Sequence, residues 1–160
     1  MSQPVPPPSG NPFAGGDQFA PAPPPAPVRN NVGLGLIVAF VAALVAAGAY
    51  GAIGGAIEKE IGYAAVGVGF LIGFAAAKAG GRNPVLPVVS AVLAIGAVYL
   101  GQLIAAAVYV TKDSGSFTEL FFQHFGLLTE AWKAGADGMT YVFLGIAAIT
   151  AFAGAKKADA

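Results

Sequence analysis

The fold is decided by residues 32–79, VGLGLIVAFVAALVAAGAYGAIGGAI-EKE-IGYAAVGVGFLIGFAAAKA, an apolar run with the charged triplet Glu58-Lys59-Glu60 in its middle. An α-helix rises about 1.5 Å per residue, so residues 32–57 extend about 39 Å and residues 62–77 about 24 Å. The hydrocarbon core of a bilayer is about 30 Å thick. The stretch therefore predicts two membrane-spanning helices joined by a tight polar turn.

The composition indicates a protein of the lipid bilayer. Of its 160 residues, 56% are hydrophobic and 10% are charged, whereas soluble domains carry about 25% charged residues. Basic and acidic side chains balance at 8 each, which disfavours nucleic acid as a partner. The chain has no cysteine and one histidine, so thiol chemistry and a histidine-built metal site are not expected, and no cofactor is predicted.

Two further apolar runs complete the expected membrane part. Gly80-Gly81 and Asn83-Pro84 stop one helix and start the next, and Lys156-Lys157 closes the last run. The expected fold class is an all-α integral membrane protein with four transmembrane helices, one amphipathic interfacial helix between spans three and four, and a disordered proline-rich tail. The transmembrane domain is predicted over residues 31–160, with spans of about 32–57, 62–79, 85–110 and 138–155 and an amphipathic helix of about 116–134.

Residues 1–30 hold every proline of the chain except Pro84 and Pro87. Such a segment buries too little apolar surface to offset its ordering entropy, so a disordered tail is predicted. Pro4 to Pro7 and Pro21 to Pro24 fit a P-x-x-P ligand, and Asn11-Pro12-Phe13-Ala14 is a turn motif with an aromatic side chain. A solvated spacer is favoured over a dedicated cytoplasmic ligand, and the second reading stays open.

Small residues recur at helical spacing on one face of each of the first three spans, which lets helices approach closely in lipid. The candidate helix-packing residues are Ala47, Gly51 and Gly55 in span one, Gly62, Gly69 and Gly73 in span two, and Ala97, Gly101 and Ala105 in span three. Spans one and two are therefore predicted to form a tight antiparallel hairpin. The alternative is that a general bias of the sequence toward alanine and glycine produces such spacings everywhere.

Gln102 is the one strongly polar side chain at the depth of a span interior. A buried amide in hydrocarbon needs a partner, so Gln102 is expected to face the bundle and to bind another helix. Contact with a solute or an ion is the alternative.

Residues 116–134 predict an amphipathic helix that begins with the capping box Ser116-Phe117-Thr118-Glu119. Its apolar face carries the candidate interfacial residues Phe117, Phe121, Phe125, Leu128 and Trp132, together with His124. This face suits either the membrane interface or a groove between spans. A packed histidine at headgroup level is favoured over a proton switch at His124.

Basic residues near short loops predict the orientation. One side carries Arg29, Lys78, Arg82, Lys156 and Lys157, and the other carries Lys59, Lys112 and Lys133. Both termini are therefore expected in the cytoplasm and the amphipathic helix outside it. The interiors of the proposed spans hold no charged side chain, since Lys78 lies at the end of span two, and the sequence holds no recognisable catalytic motif. Neither an ion-coupled transporter nor an enzyme is therefore predicted.

Residues 60–73, EIGYAAVGVGFLIG, begin a glycine-rich second span with the pattern E-x-G-aromatic, and residues 143–152, FLGIAAITAF, end the last span with A-x-x-T-A-aromatic. In this pairing the chain resembles a loose group of small uncharacterised four-span bacterial inner-membrane proteins. The resemblance implies a bacterial inner-membrane origin. It transfers no functional residue, because the group has no assigned activity, and it covers the membrane part only.

These observations give three functional hypotheses. The first is a structural or scaffolding subunit that self-associates or binds a larger membrane complex. The second is a channel or facilitator for a neutral solute, with Gln102, Ser90 and tyrosines lining a passage. The third is an external sensor of pH or of the envelope, built on the amphipathic helix and His124.

Overall fold

A computed structural model describes residues 21–59, 61–113 and 115–158. Its helices are α1 (Val32–Ile57), α2 (Gly62–Gly80), α3 (Val85–Thr111), α4 (Phe117–Gln123), α5 (Phe125–Gly135) and α6 (Gly138–Ala158). Four of them, α1, α2, α3 and α6, are long and apolar enough to cross a membrane. Over these described residues, the prediction of a helical fold with four helices able to span a membrane is confirmed. The tail motifs that precede residue 21 lie outside the described residues.

Local hydrogen bonds set the ends of the long helices. The side-chain oxygen of Asn31 accepts from the Leu34 N–H at 3.2 Å and caps α1, and that of Asn83 accepts from the Val85 N–H at 2.9 Å and caps α3. Helix α1 ends at Ile57, and the next residue, Glu58, has a left-handed φ of 56° that turns the chain toward α2. Helix α6 continues past its predicted end to Ala158, because lysines in a last turn suit the negative end of the helix dipole.

Helices α1 and α3 touch along their small-residue faces. A Cβ atom added to Gly51 would lie 2.6 Å from the Gly101 carbonyl oxygen, and one added to Gly55 would lie 2.8 Å from the Ala105 carbonyl oxygen. Ala47 and Ala97 are buried on the same faces. The two backbones are therefore close enough that only hydrogen fits at the glycine positions.

Helices α2 and α6 make the second close contact. A Cβ atom added to Gly69 would collide with the Ala147 carbonyl oxygen, and one added to Gly73 would collide with the Ala151 carbonyl oxygen. At the start of α2, a Cβ at Gly62 would enter the ring of Phe143. The small face predicted on span two thus lies against span four.

The predicted hairpin, with the small faces of spans one and two packed on each other, is wrong in its pairing. Helices α1 and α2 are neighbours that meet closely at Gly35 and Gly80, where a Cβ added to either residue would lie 2.9 Å from the other residue's Cα. Their longer glycine faces meet α3 and α6 instead. A stripe of small residues permits close approach to any helix with a matching surface, so it does not specify the partner.

The single amphipathic helix predicted over residues 116–134 is also wrong in detail, because two helices occupy the segment. Helix α4 ends at Gln123, and His124 adopts φ −120° and ψ 33°, outside the helical region. Helix α5 restarts at Phe125. Gly126, which follows the break, favours helix poorly and adds no packing side chain.

The bundle has two chemically distinct ends. At the basic end lie residues 29–31, the loop between α2 and α3, and the end of α6. The Asn31 N–H donates to the Gly80 carbonyl at 2.8 Å there, and the Arg82 N–H donates to the Arg29 carbonyl at 3.2 Å. At the aromatic end lie the link between α1 and α2 and the helices α4 and α5.

We expect Gly73→Ala to lower the free energy of unfolding by about 1–3 kcal/mol, because the new methyl group must push α6 away. The measurement is unfolding of the purified protein in mixed micelles, followed by circular dichroism. The matched control is Gly67→Ala on the same helix, where an added Cβ meets nothing within 4 Å. Equal stability of the two variants would contradict the observed α2–α6 contact.

Candidate functional site

Helices α4 and α5 run back along α3 from its aromatic end. The Ser116 hydroxyl accepts from the Glu119 N–H at 3.3 Å, so the predicted cap starts α4. Phe117 and Phe121 stack with ring centroids 5.4 Å apart, and Phe121 meets Phe125 edge-on at 5.5 Å. These ring contacts connect α4 to α5 across the break at His124.

Trp132 joins α5 to the spans. Its indole N–H donates to the side-chain carbonyl oxygen of Gln102 at 2.6 Å. Its ring lies edge-on to Tyr99 of α3, with centroids 4.7 Å apart, and edge-on to Tyr141 of α6, with centroids 6.1 Å apart. One side chain thus contacts two spans, and Gln102 receives a partner, as a buried amide requires.

Leu128 supplies the apolar part of the same contact. It is 4% exposed and packs with Leu103 and Ala107 of α3, which are fully buried. Because Leu128 and Trp132 are four residues apart, they lie one turn apart on one face of α5. This face fixes the position of α5 on the bundle.

A cleft of about 220 Å³ opens beside the indole ring. Its lining residues are Gln102, Trp132, Gly135, Ala136 and Thr140. Ser90, the other polar side chain assigned to a passage, is fully buried and its hydroxyl has no hydrogen-bond partner. Between Gln102 and Ser90 along α3 lie Ala94 and Val98, both fully buried, so packed side chains separate these two polar groups.

Asp137 caps the start of α6 at the rim of this cleft. Its carboxylate accepts from the Thr140 N–H at 2.9 Å and from the Thr140 hydroxyl at 3.0 Å. The hydrogen bond from the Thr140 N–H, followed by that from its hydroxyl, holds the pKa of the Asp137 carboxyl below its ordinary value. The charged form therefore stabilises the helix start.

An ion pair ties the ends of α1 and α3 together at the aromatic end. The Lys112 ammonium lies 2.9 Å from the Glu58 carboxylate and also donates to the Ala56 carbonyl at 3.3 Å. The hydrogen bond to Glu58 raises the pKa of Lys112 above its ordinary value. Both side chains are about half exposed, so the pair adds little stability and mainly orients the loop ends.

Three large apolar side chains on α4 and α5 are exposed, among exposed polar side chains such as Gln123. Phe122 is 74% exposed, Leu127 58% and Phe125 40%. We call these three residues, two phenylalanines and a leucine, the aromatic face. His124 lies among them and is exposed, at the break rather than on a packed helix surface. Single exposed apolar residues are ordinary, whereas a contiguous group marks contact with lipid or with another protein.

The predicted site residues divide into two groups. The structure brings Gln102, Trp132 and Leu128 together. Phe117 and Phe121 of α4 pack against the same part of α3. It leaves Phe125 and His124 facing outward. Tyr141 was missed by sequence reasoning, because a tyrosine near the start of a span is typical of the membrane interface and nothing in the sequence links it to Trp132.

The arrangement defines a multipass helical protein with an anchored pair of short helices at one end. In the part of the chain that the structure describes, no group of histidine, cysteine, aspartate and glutamate is placed to hold a metal ion. Comparison of the chain with protein-family models, curated proteins and solved structures finds no match.

We expect Leu128→Ala to release α5 from α3, because truncating a buried leucine costs about 2–5 kcal/mol. The chain contains one tryptophan, Trp132, so its fluorescence reports on α5 directly. Acrylamide should quench this fluorescence more strongly in the variant. Leu127→Ala, at an exposed neighbour, is the control and should leave quenching unchanged. Unaltered quenching in Leu128→Ala would contradict the docking of α5.

We expect the start of α6 to weaken in acid. Because the folded pKa of Asp137 is depressed, its contribution is complete above the unfolded pKa of about 4 and is lost as pH falls through the folded value. Asp137→Ala should melt at a lower temperature than wild type at neutral pH, and the difference should shrink below about pH 4. Thermal melts over this pH range measure it, with Glu130→Ala as the control. A constant difference across pH would refute the role of the charge.

Proposed function

We propose that the protein is a small structural subunit of a bacterial inner-membrane assembly, and that the aromatic face on α4 and α5 is the surface that binds its partner. The observation that carries the proposal is the pair of opposite faces on this segment. Leu128 and Trp132 hold the segment to the spans, while Phe122 and Leu127 remain exposed. An apolar surface on a fixed support suits recognition, because little motion is lost on binding.

The use of the glycine faces supports a partner surface elsewhere than on the spans. Gly51 and Gly55 contact α3, and Gly69 and Gly73 contact α6. These glycine faces are buried in contacts within one chain, so they are not available to bind a second copy. Self-association or binding to a larger complex would then use the aromatic face.

The proposed position in the membrane rests on the distance along α3 and on the distribution of cations. Measured along α3, Gln102 lies about 26 Å from Val85, close to the thickness of the hydrocarbon core. Helices α4 and α5 would then lie at the outer interface, where tryptophan and tyrosine are enriched. The larger set of cations at the basic end supports a cytoplasmic location of both termini, with the proline-rich tail as a tether.

A channel for a neutral solute has less support. The polar groups that would line a passage are Gln102 and Ser90, and the buried Ala94 and Val98 lie between them along α3. A sensor built on His124 has only the exposure of that side chain in its favour. A structural role explains both why one side of α4 and α5 is anchored to the spans and why apolar residues on the other side are exposed.

The test is photocrosslinking in intact cells with a photoreactive amino acid at position 122. We expect a defined membrane protein, or a second copy of this chain, to be captured and identified by mass spectrometry. The matched control is position 92 on α3, where Val92 is 65% exposed and apolar but lies outside the aromatic face. Capture of lipid alone at both positions would refute the proposal. Position 13 in the tail separately tests a cytoplasmic ligand.

A further inference from the structure

The basic end of the bundle holds a preformed cleft. Two backbone hydrogen bonds join the segment before α1 to the loop between α2 and α3, as described above, and the Asn83 side-chain amide donates to the Asn30 side-chain oxygen at 3.1 Å. Gly81 has a φ of 79°, and a Cβ there would collide with the Arg29 carbonyl. Glycine therefore permits this contact, which brings Arg29 and Arg82 to the same place.

The cleft has a volume of about 300 Å³. Three of its lining residues are cationic, Arg29, Lys78 and Arg82, and the others are Val28, Ala77, Gly81 and Ala158. The cations come from three elements: the segment before α1, the last turn of α2 and the loop before α3. The Lys78 ammonium lies 5.7 Å from the centre of the Phe74 ring, so its stem lies along α2.

These cations have no carboxylate near them among the described residues. The acidic residues within the described ranges are Glu58, Asp113, Glu119, Glu130 and Asp137, all at the aromatic end. Asp17, Glu60 and Asp159 lie outside those ranges. The one ion pair within the described chain, Lys112 with Glu58, is also at the aromatic end. Among the described residues, the lining of the cleft therefore carries three cationic side chains and no anionic one.

We propose that this cleft binds a phosphate group at the membrane surface. Two guanidinium groups offer flat pairs of N–H donors that match phosphate oxygens, and an ammonium adds a third charge. The cleft is formed where the spans end, at the level of lipid headgroups. Basic pockets between spans favour anionic lipid headgroups, and a soluble phosphate compound offers the same chemistry.

The chain supplies a matched control for general attraction to a negative surface. Lys156 and Lys157 belong to the same end of the bundle and do not line the cleft. Lys156 lies over the Phe152 ring instead, 5.6 Å from its centre. Removing these two charges changes the net charge of the basic end as much as removing the two arginines.

The experiment measures equilibrium binding of short-chain phosphatidylglycerol to the purified full-length protein in uncharged micelles, by thermophoresis. A basic residue near an anionic surface contributes about 1 kcal/mol, so R29Q/R82Q should bind about thirtyfold more weakly than wild type. K156Q/K157Q should bind within about threefold of wild type, because neither lysine lines the cleft and neither can donate a hydrogen bond to a phosphate bound there. Equal losses in the two double variants, or no loss in R29Q/R82Q, would overturn the site.

Folding and ligand source are controlled separately. Thermal melts without lipid check that R29Q/R82Q is folded. K78Q, which lies outside the backbone contacts that form the cleft, is a second variant, and its affinity for the lipid should fall about fivefold. Inorganic phosphate is then added as a competitor. Displacement of the lipid identifies a soluble phosphate compound as a ligand, whereas retained binding identifies the lipid headgroup. Failure of both probes to bind wild type would also overturn the proposal.

Discussion

The close approach of helix backbones at Gly51 against α3 and at Gly73 against α6 is the constraint on which the rest of the bundle depends. In a bilayer, lipid tails are as apolar as leucine, so burial from water does not drive one span onto another. Van der Waals contact between closely approaching backbones supplies the attraction instead. Alanines occupy most of the buried positions around these glycines, and large apolar side chains such as Ile37 and Val92 point outward.

The anchored helices at the aromatic end follow from that bundle. Tyr99 and Gln102 belong to α3, and Tyr141 belongs to α6, so the pocket for the Trp132 ring exists only where α3 and α6 lie side by side. The indole hydrogen bond to Gln102 then removes the cost of a buried, unpaired amide. A polar group that would weaken an isolated span thus becomes the feature that positions α5.

The spans were predictable from the sequence because their length is fixed by the thickness of the bilayer, and the capping residues Asn31, Asn83 and Ser116 mark helix starts chemically. The pairing of spans was not predictable, because a glycine stripe such as that of α2 permits close approach to any helix with a matching surface. The break at His124 was missed for a related reason. The apolar residues of the segment 117–132 keep helical spacing throughout, so the sequence pattern does not reveal the break, which the backbone angles of His124 show.

The pairing of non-consecutive spans bears on how the chain is made. During synthesis α1 and α2 leave the ribosome first, yet the partner of α2 is α6, the last helix. Until α6 enters the bilayer, the stripe containing Gly69 and Gly73 faces lipid without its complement. Assembly of the bundle is therefore completed only after α6 has entered the bilayer, and a chain truncated before α6 leaves the glycine face of α2 without its partner helix.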